Sequence, residues 1–145
     1  MKFEDLQSEW DKDCKIDRTD LTAESLKTPT LTSKYYKYYV RERFILKKLE
    51  TELAVLSLEK REFYTQGPSK EQLEKGWNMP PKGMILKNEV EHYLQADKEI
   101  IQMTLKVFGQ KQKVEFLQAI IDDLNRRSFT IKNAIEFLRW THGMG

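Results

Sequence analysis

Apolar side chains recur three and four residues apart along nearly the whole chain, and strand-type alternation is nearly absent. The pattern predicts an all-α protein built from long amphipathic helices. A short first helix fits Lys2 to Cys14, with Phe3, Leu6, Trp10 and Cys14 on one face. Leu21 to Lys27 adds a turn or two before Pro29, where a helix is expected to stop. A long helix then follows from Thr30 or Thr32, threonine being a suitable cap, to about Thr65. Its stripe is Tyr35, Tyr38, Tyr39, Ile45, Leu46, Leu49, Leu53, Leu56 and Phe63; Glu42 interrupts it and Lys60 falls inside it. Such length suggests a coiled coil.

Three of the four prolines and three of the six glycines lie between Gly67 and Gly83. Residues 66–87 therefore read as a connector between an N-terminal helical region, 1–65, and a C-terminal one, 88–145. Within the connector, Met84 to Leu86 is a short strand candidate. Asn88 with Glu91 resembles a capping box and predicts a helix start. Val90, Tyr93, Leu94, Ile100, Ile101, Leu105 and Phe108 follow at helical spacing, and Gly109 is expected to bend this helix. Val114, Leu117, Ile121 and Leu124 continue the stripe. Arg126 and Arg127 suit a helix C-terminus. A last helix then restarts at Ser128 or Thr130 with Ile131, Ile135 and Leu138. The apolar set from Val114 to Leu138 exceeds what one short bundle needs, which predicts self-association through this region.

Charge changes the picture locally. The 145 residues carry a formal net charge of only +2, with 39% hydrophobic and 33% charged residues, so bulk charge does not mark a nucleic-acid binder. The opening is acidic, with four cations against seven acids up to Asp20. Between Ser33 and Leu49, however, Lys34, Lys37, Arg41, Arg43, Lys47 and Lys48 face only Glu42. Lys34, Arg41 and Lys48 are seven residues apart and share one line along a helix, with Lys37 beside them. Tyr35, Tyr36, Tyr38 and Tyr39 are interleaved. Cations with aromatic rings suit the phosphates and unpaired bases of a single strand; a tyrosine core stripe flanked by a solvated basic face fits the same residues. Lys60 and Arg61, followed by Phe63 and Tyr64, close the helix. Lys60 either snorkels from the apolar side or lines a groove for an anion.

Signatures of catalysis are missing. Gly67-Pro68-Ser69-Lys70 lacks the spaced glycines and preceding strand of a phosphate loop. His92 and His142 are far apart, which gives no metal-ligand spacing. Asp122 and Asp123 point to neighbouring, solvated faces. Cys14, the single cysteine, excludes an intramolecular disulfide and reads as a small core residue. These features predict a non-enzyme without cofactor, and no apolar run is long enough to span a membrane. With no signal peptide, a reducing cytoplasm is the expected setting.

Several short segments carry a resemblance. Phe3-Glu4-Asp5-Leu6-Gln7, Asp13 and Ile16-Asp17 open the chain; Ser33-Lys34 and Glu62-Phe63-Tyr64 lie in the long helix; Ala96-Asp97-Lys98, Phe129 and Ile131-Lys132 follow. In order and spacing they resemble the UvsY family, recombination mediators of myovirus-type tailed phages. That family's DNA-binding motif is Lys-Ala-Arg, any residue, Asp-Tyr-Tyr, then Gly-Arg. Here it corresponds to Leu58-Glu59-Lys60-Arg61-Glu62-Phe63-Tyr64, with Leu58 at the first lysine and Lys60 at the arginine. The resemblance implies an elongated helical protomer assembled into a ring-like homo-oligomer, a hexamer or heptamer, through its C-terminal region. It implies binding to single-stranded DNA through Lys60, Arg61 and Tyr64, to which the residue pattern adds Lys34, Lys37, Arg41 and Lys48. It also implies partners, a RecA-like recombinase and a single-strand-binding protein, in recombination, replication and repair in the cytoplasm of an infected bacterial host. The residues taken by themselves also fit a coiled-coil adaptor or scaffold.

Overall fold

The computed structural model describes residues 1–143. Five helices follow one another: α1 (Phe3–Asp13), α2 (Leu21–Gln66), α3 (Lys70–Glu74), α4 (Val90–Ala96) and α5 (Lys98–Thr141). No strand occurs among the described residues, and none of their helices is long and apolar enough to cross a membrane. The protein is all-α, as the periodicity predicts.

The helices contribute to two compact units. One joins Met1–Arg43 to Gln112–Gly145, and the other is Phe44–Lys111. Neither unit ends at the connector. Both long helices run through both units, and residues 66–87 are part of the second unit's structure.

In the first unit, Leu6, Tyr35, Leu117, Ile120 and Leu124 form the core, flanked by Trp10, Leu31, Tyr38, Tyr39 and Phe116. Phe3 packs edge-on against Phe116, and Trp10 against Tyr35. Leu117, Ile121, Leu124 and Ile131 are thus buried inside one protomer, and Val114 is half-buried. They are not surplus surface. In the part of α5 that belongs to this unit, the large apolar side chains left exposed are Phe129, Ile135, Phe137, Leu138 and Trp140. Cys14 ends α1 in an exposed position, not in the core, because its turn lies past the face that Leu6 and Trp10 bury.

Helix α2 begins at Leu21, well before Pro29, and its start is capped by the Asp20 carboxylate, which accepts the Ala23 N–H at 3.1 Å. Pro29 lies inside the helix. An interior proline removes a hydrogen bond and costs about 3 kcal/mol. The turn ahead of it is tied to α5 by Arg127, whose guanidinium donates to the Glu24 carbonyl (3.0 Å), the Glu24 carboxylate (2.7 Å) and the Thr28 hydroxyl (3.0 Å). The same contacts explain why α5 does not end at Arg126 and Arg127 or restart at Ser128. Arg127 is spent on another segment and not on its own helix terminus.

The second unit buries Phe63, Tyr64, Trp77, Ile85, Val90, Leu94 and Ile100, with Leu53, Leu56, Met79 and Tyr93 against them. Gly67 closes α2 at φ +91°, a conformation L side chains avoid, and its N–H returns to the Phe63 carbonyl. Ser69 and Gln72 form a reciprocal capping box on α3. Met84 to Leu86 is extended chain and not a strand; the Ile85 N–H donates to the Tyr64 carbonyl. The expected start at Asn88 is displaced, since α4 begins at Val90 without a side-chain cap. The helix also breaks at Asp97, where the spacing predicts no break. Gly109 leaves α5 unbroken.

Candidate nucleic-acid interface

The residues expected to meet DNA fall into three environments. Lys37, Arg41 and Lys48 are exposed along α2, as are Arg43 and Lys47, and none of these five forms an ion pair among the described residues. Arg41 lies 5.1 Å from the Tyr38 ring centroid and Arg43 lies 5.4 Å from that of Tyr39. Each guanidinium is thereby steadied on an aromatic face with its outer N–H groups left over. Of the four interleaved tyrosines, Tyr35 is fully buried and Tyr38 and Tyr39 are half-buried; Tyr36 presents its ring to solvent, 55% exposed.

Lys34 belongs to a second environment. Its Nζ sits 2.7 Å from Asp13 and 3.4 Å from Glu9, both on α1. Burial works against its charge, but the two carboxylates outweigh it and hold its pKa above the ordinary value. Asp13 responds in kind: burial would raise it, but Lys34 and the Tyr35 hydroxyl hold it below the usual range. Lys34 is therefore neutralised by the protein itself.

Lys60 lies in the third environment. It neither snorkels nor faces open water. Its Nζ is 3.1 Å from Asp97 and 3.5 Å from Glu99, and 3.9 Å from the Trp77 ring centroid. The side chains of Lys60 and Asp97 are only 6% and 5% exposed. The Tyr64 hydroxyl donates to the same Asp97 oxygen at 2.6 Å. The other Asp97 oxygen accepts the Glu99 and Ile100 N–H groups at 3.0 and 3.1 Å, capping α5. Burial pushes the Asp97 carboxyl up, but Tyr64, the Ile100 N–H and Lys60 together bring it below the usual value. Burial, with Asp97 as acceptor, pushes the Tyr64 hydroxyl far up, so it stays protonated as a donor. Lys60 and Tyr64 thus converge on one carboxylate and have little surface to offer a phosphate or a base. Arg61, next in sequence, is exposed and ion-paired with Glu91.

Asp97 organises this cluster, and sequence reasoning does not single it out as a site residue. A signal for it exists: an acid immediately ahead of Lys98-Glu99-Ile100, where an apolar helical run resumes, is an N-cap pattern.

The sequence profile of the family described as "Recombination, repair and ssDNA binding protein UvsY" matches residues 9–144. No curated protein sequence matches the chain significantly. Among solved structures, three crystal forms of the bacteriophage T4 recombination mediator protein UvsY are similar. Lattice type II shares 25% identity at a TM-score of 0.81, covering 99% of this chain and 98% of that one. Lattice type I shares 24% at 0.78, covering 95% and 98%. Lattice type IV shares 23% at 0.77, covering 98% and 99%. With the family profile running over nearly its whole length and the same fold at that coverage, the chain belongs to the UvsY family of recombination, repair and ssDNA-binding proteins.

Proposed function

We propose that the chain is a phage recombination mediator. It binds single-stranded DNA as a ring-like homo-oligomer in the host cytoplasm and helps a RecA-like recombinase onto DNA covered by single-strand-binding protein. The observation that carries the reading is the set of uncommitted cations on α2. Lys37, Arg41 and Lys48 are exposed and unpaired among the described residues, in a chain whose net charge is only +2. Arg61, exposed but ion-paired with Glu91, lies near the end of the same helix. A weak patch of this kind suffices if several copies act together, because linked sites raise affinity through effective concentration.

Support for assembly comes from the end of α5. Ile135 and Leu138, each 39% exposed, share one side of the helix, and Phe129, Phe137 and Trp140 lie on the opposite side. Trp140 is 74% exposed and Phe137 63%. A helix end that is apolar on opposite sides can meet a neighbour on each, as a head-to-tail ring requires.

The test is fluorescence anisotropy with a labelled poly-pyrimidine strand across a salt series, with native mass measured in parallel. Lys37→Ala, Arg41→Ala and Lys48→Ala should each flatten the log–log salt slope by about 0.7 for every phosphate no longer neutralised. A wild type that is monomeric and indifferent to DNA would favour a scaffold without nucleic-acid binding.

A further inference from the structure

Two adjoining hollows in the first unit share the side chains of Pro29 and Ser33. The larger, about 530 Å³, lies between the start of α2 and α5; the buried Leu124 is part of its lining, together with Tyr36, Asn125 and Ser128. The smaller, about 450 Å³, is lined by Lys34 and Lys37. Both are shallow and open to solvent, and the second lies on α2 alone.

The polar groups around the larger hollow are uncommitted. Among the described residues, neither the Asn125 amide nor the Ser33 and Ser128 hydroxyls have a protein partner, whereas the nearby Thr28 hydroxyl is used by Arg127. Tyr36 is backed by Tyr39, their ring centroids 6.3 Å apart, and Tyr39 in turn lies under Arg43. The exposed ring is therefore a supported wall. In the smaller hollow Lys34 is neutralised by Asp13 and Glu9, which leaves Lys37 as its uncommitted cation.

We infer that these hollows form a nucleotide subsite: one unstacked base of a single strand lies on Tyr36 with its edge toward Asn125, and the adjacent phosphate meets Lys37. An aromatic face is sequence-tolerant, since every base has a π-face. A carboxamide offers donor and acceptor side by side, the complement of a base edge. The hydroxyl of Ser33, on the rim common to both hollows, can serve either group. This subsite deepens the proposed function and rests on it.

The test uses the full-length protein and oligo(dT) strands carrying one 4-thiothymidine. Ultraviolet irradiation followed by peptide mass mapping should place the cross-link on Tyr36 or on the Asn125–Ser128 turn. Tyr36→Ala should lower affinity at least fivefold, up to about a hundredfold, with the salt slope unchanged, whereas Tyr36→Trp should retain it. Asn125→Ala should lower affinity threefold or more. Alanine favours a helix, so a folding defect would not explain that loss. Lys37→Gln should keep the cross-link and flatten the slope by about 0.7. If the wild type binds, loses affinity with Arg41→Ala or Lys48→Ala, but is indifferent to Tyr36→Ala and cross-links elsewhere, the subsite is wrong and the DNA-binding reading stands. If the wild type binds no oligonucleotide, both fall.

Discussion

Replacing Lys60 with alanine should destabilise the protein more than it weakens any direct contact with DNA. Removing one member of a buried ion pair costs about 3–5 kcal/mol, mostly because the other charge is stranded. Asp97 would not be wholly stranded. It keeps the Tyr64 hydroxyl at 2.6 Å and the N–H groups of Glu99 and Ile100 at 3.0 and 3.1 Å. That argues for the lower end of the range. The ammonium's position 3.9 Å from the Trp77 ring centroid adds a cation–π contribution, on the order of 2 kcal/mol when desolvated. These terms overlap, so the expected loss is about 3–4 kcal/mol, a large part of a typical 5–15 kcal/mol stability. The melting temperature should fall by about 6–15 °C. Urea unfolding followed by circular dichroism, at fixed protein concentration, measures the loss. The double-mutant cycle with Asp97→Ala should return a coupling of about 1–3 kcal/mol. Arg61→Ala is the comparison: its pair with Glu91 is exposed, and its cost should stay below about 1 kcal/mol. If Lys60→Ala unfolds within about 0.5 kcal/mol of wild type while DNA affinity drops tenfold, the lysine spends its charge on DNA and the structural argument is refuted.

Acid should act through the same cluster. Asp97, Asp13 and Glu24 are all held below their ordinary values, so the stability they contribute is complete above the usual carboxylate range near 4 and is lost as pH falls below it. Asp97→Asn should flatten the acid limb of a stability–pH curve measured by urea unfolding; an unchanged limb would exclude Asp97 as a contributor. Phe137→Asp with Trp140→Asp should lower the native mass without changing the helical circular dichroism, because both rings are exposed on the protomer. Leu117→Glu, in contrast, should unfold the protomer, since that side chain is fully buried. Gly109→Ala should stabilise by about 0.5–1 kcal/mol in urea unfolding, as a Cβ there would meet no atom within 4 Å inside a continuous helix.

Helix content, the acidic first helix and the exposed basic run of α2 are legible in the sequence because each depends on local spacing. The errors share a cause: a partner distant in sequence. Pro29 reads as a stop, yet the turn ahead of it is held in helix α2 and fastened to α5 by Arg127 through Glu24 and Thr28. Arg126 and Arg127 read as a helix end until Glu24 takes the second of them. Lys60 on an apolar stripe offers a choice between snorkelling and a groove. Its actual answer, a buried carboxylate 37 residues away, has no periodic signature. The stripe from Val114 to Leu124 looks like surplus because α1 is too short to suggest that Leu6 and Trp10 would cover it. Tyr36 is legible as one of four tyrosines, but only packing distinguishes the exposed ring from Tyr35, fully buried a single residue earlier.

The first unit is assembled from the two ends of the chain, with residues 44–111 between them. Its contacts have a high sequence separation: Arg127 to Glu24 spans 103 residues, and Lys113 to the Met1 carbonyl spans 112. Closing a flexible loop of that length costs about 4 kcal/mol before any contact repays it. The second unit is contiguous and carries no such burden, so during synthesis it can form first and shorten the span left to close. Helix α1 can meet the start of α2 early, through Trp10 on Tyr35 and Asp13 with Lys34. Until residues 112–131 are made, however, Leu6 and Tyr35 lack Leu117, Ile120 and Leu124, with which they form one core. A chain interrupted before that point would hold a complete second unit and only half of the first unit's core.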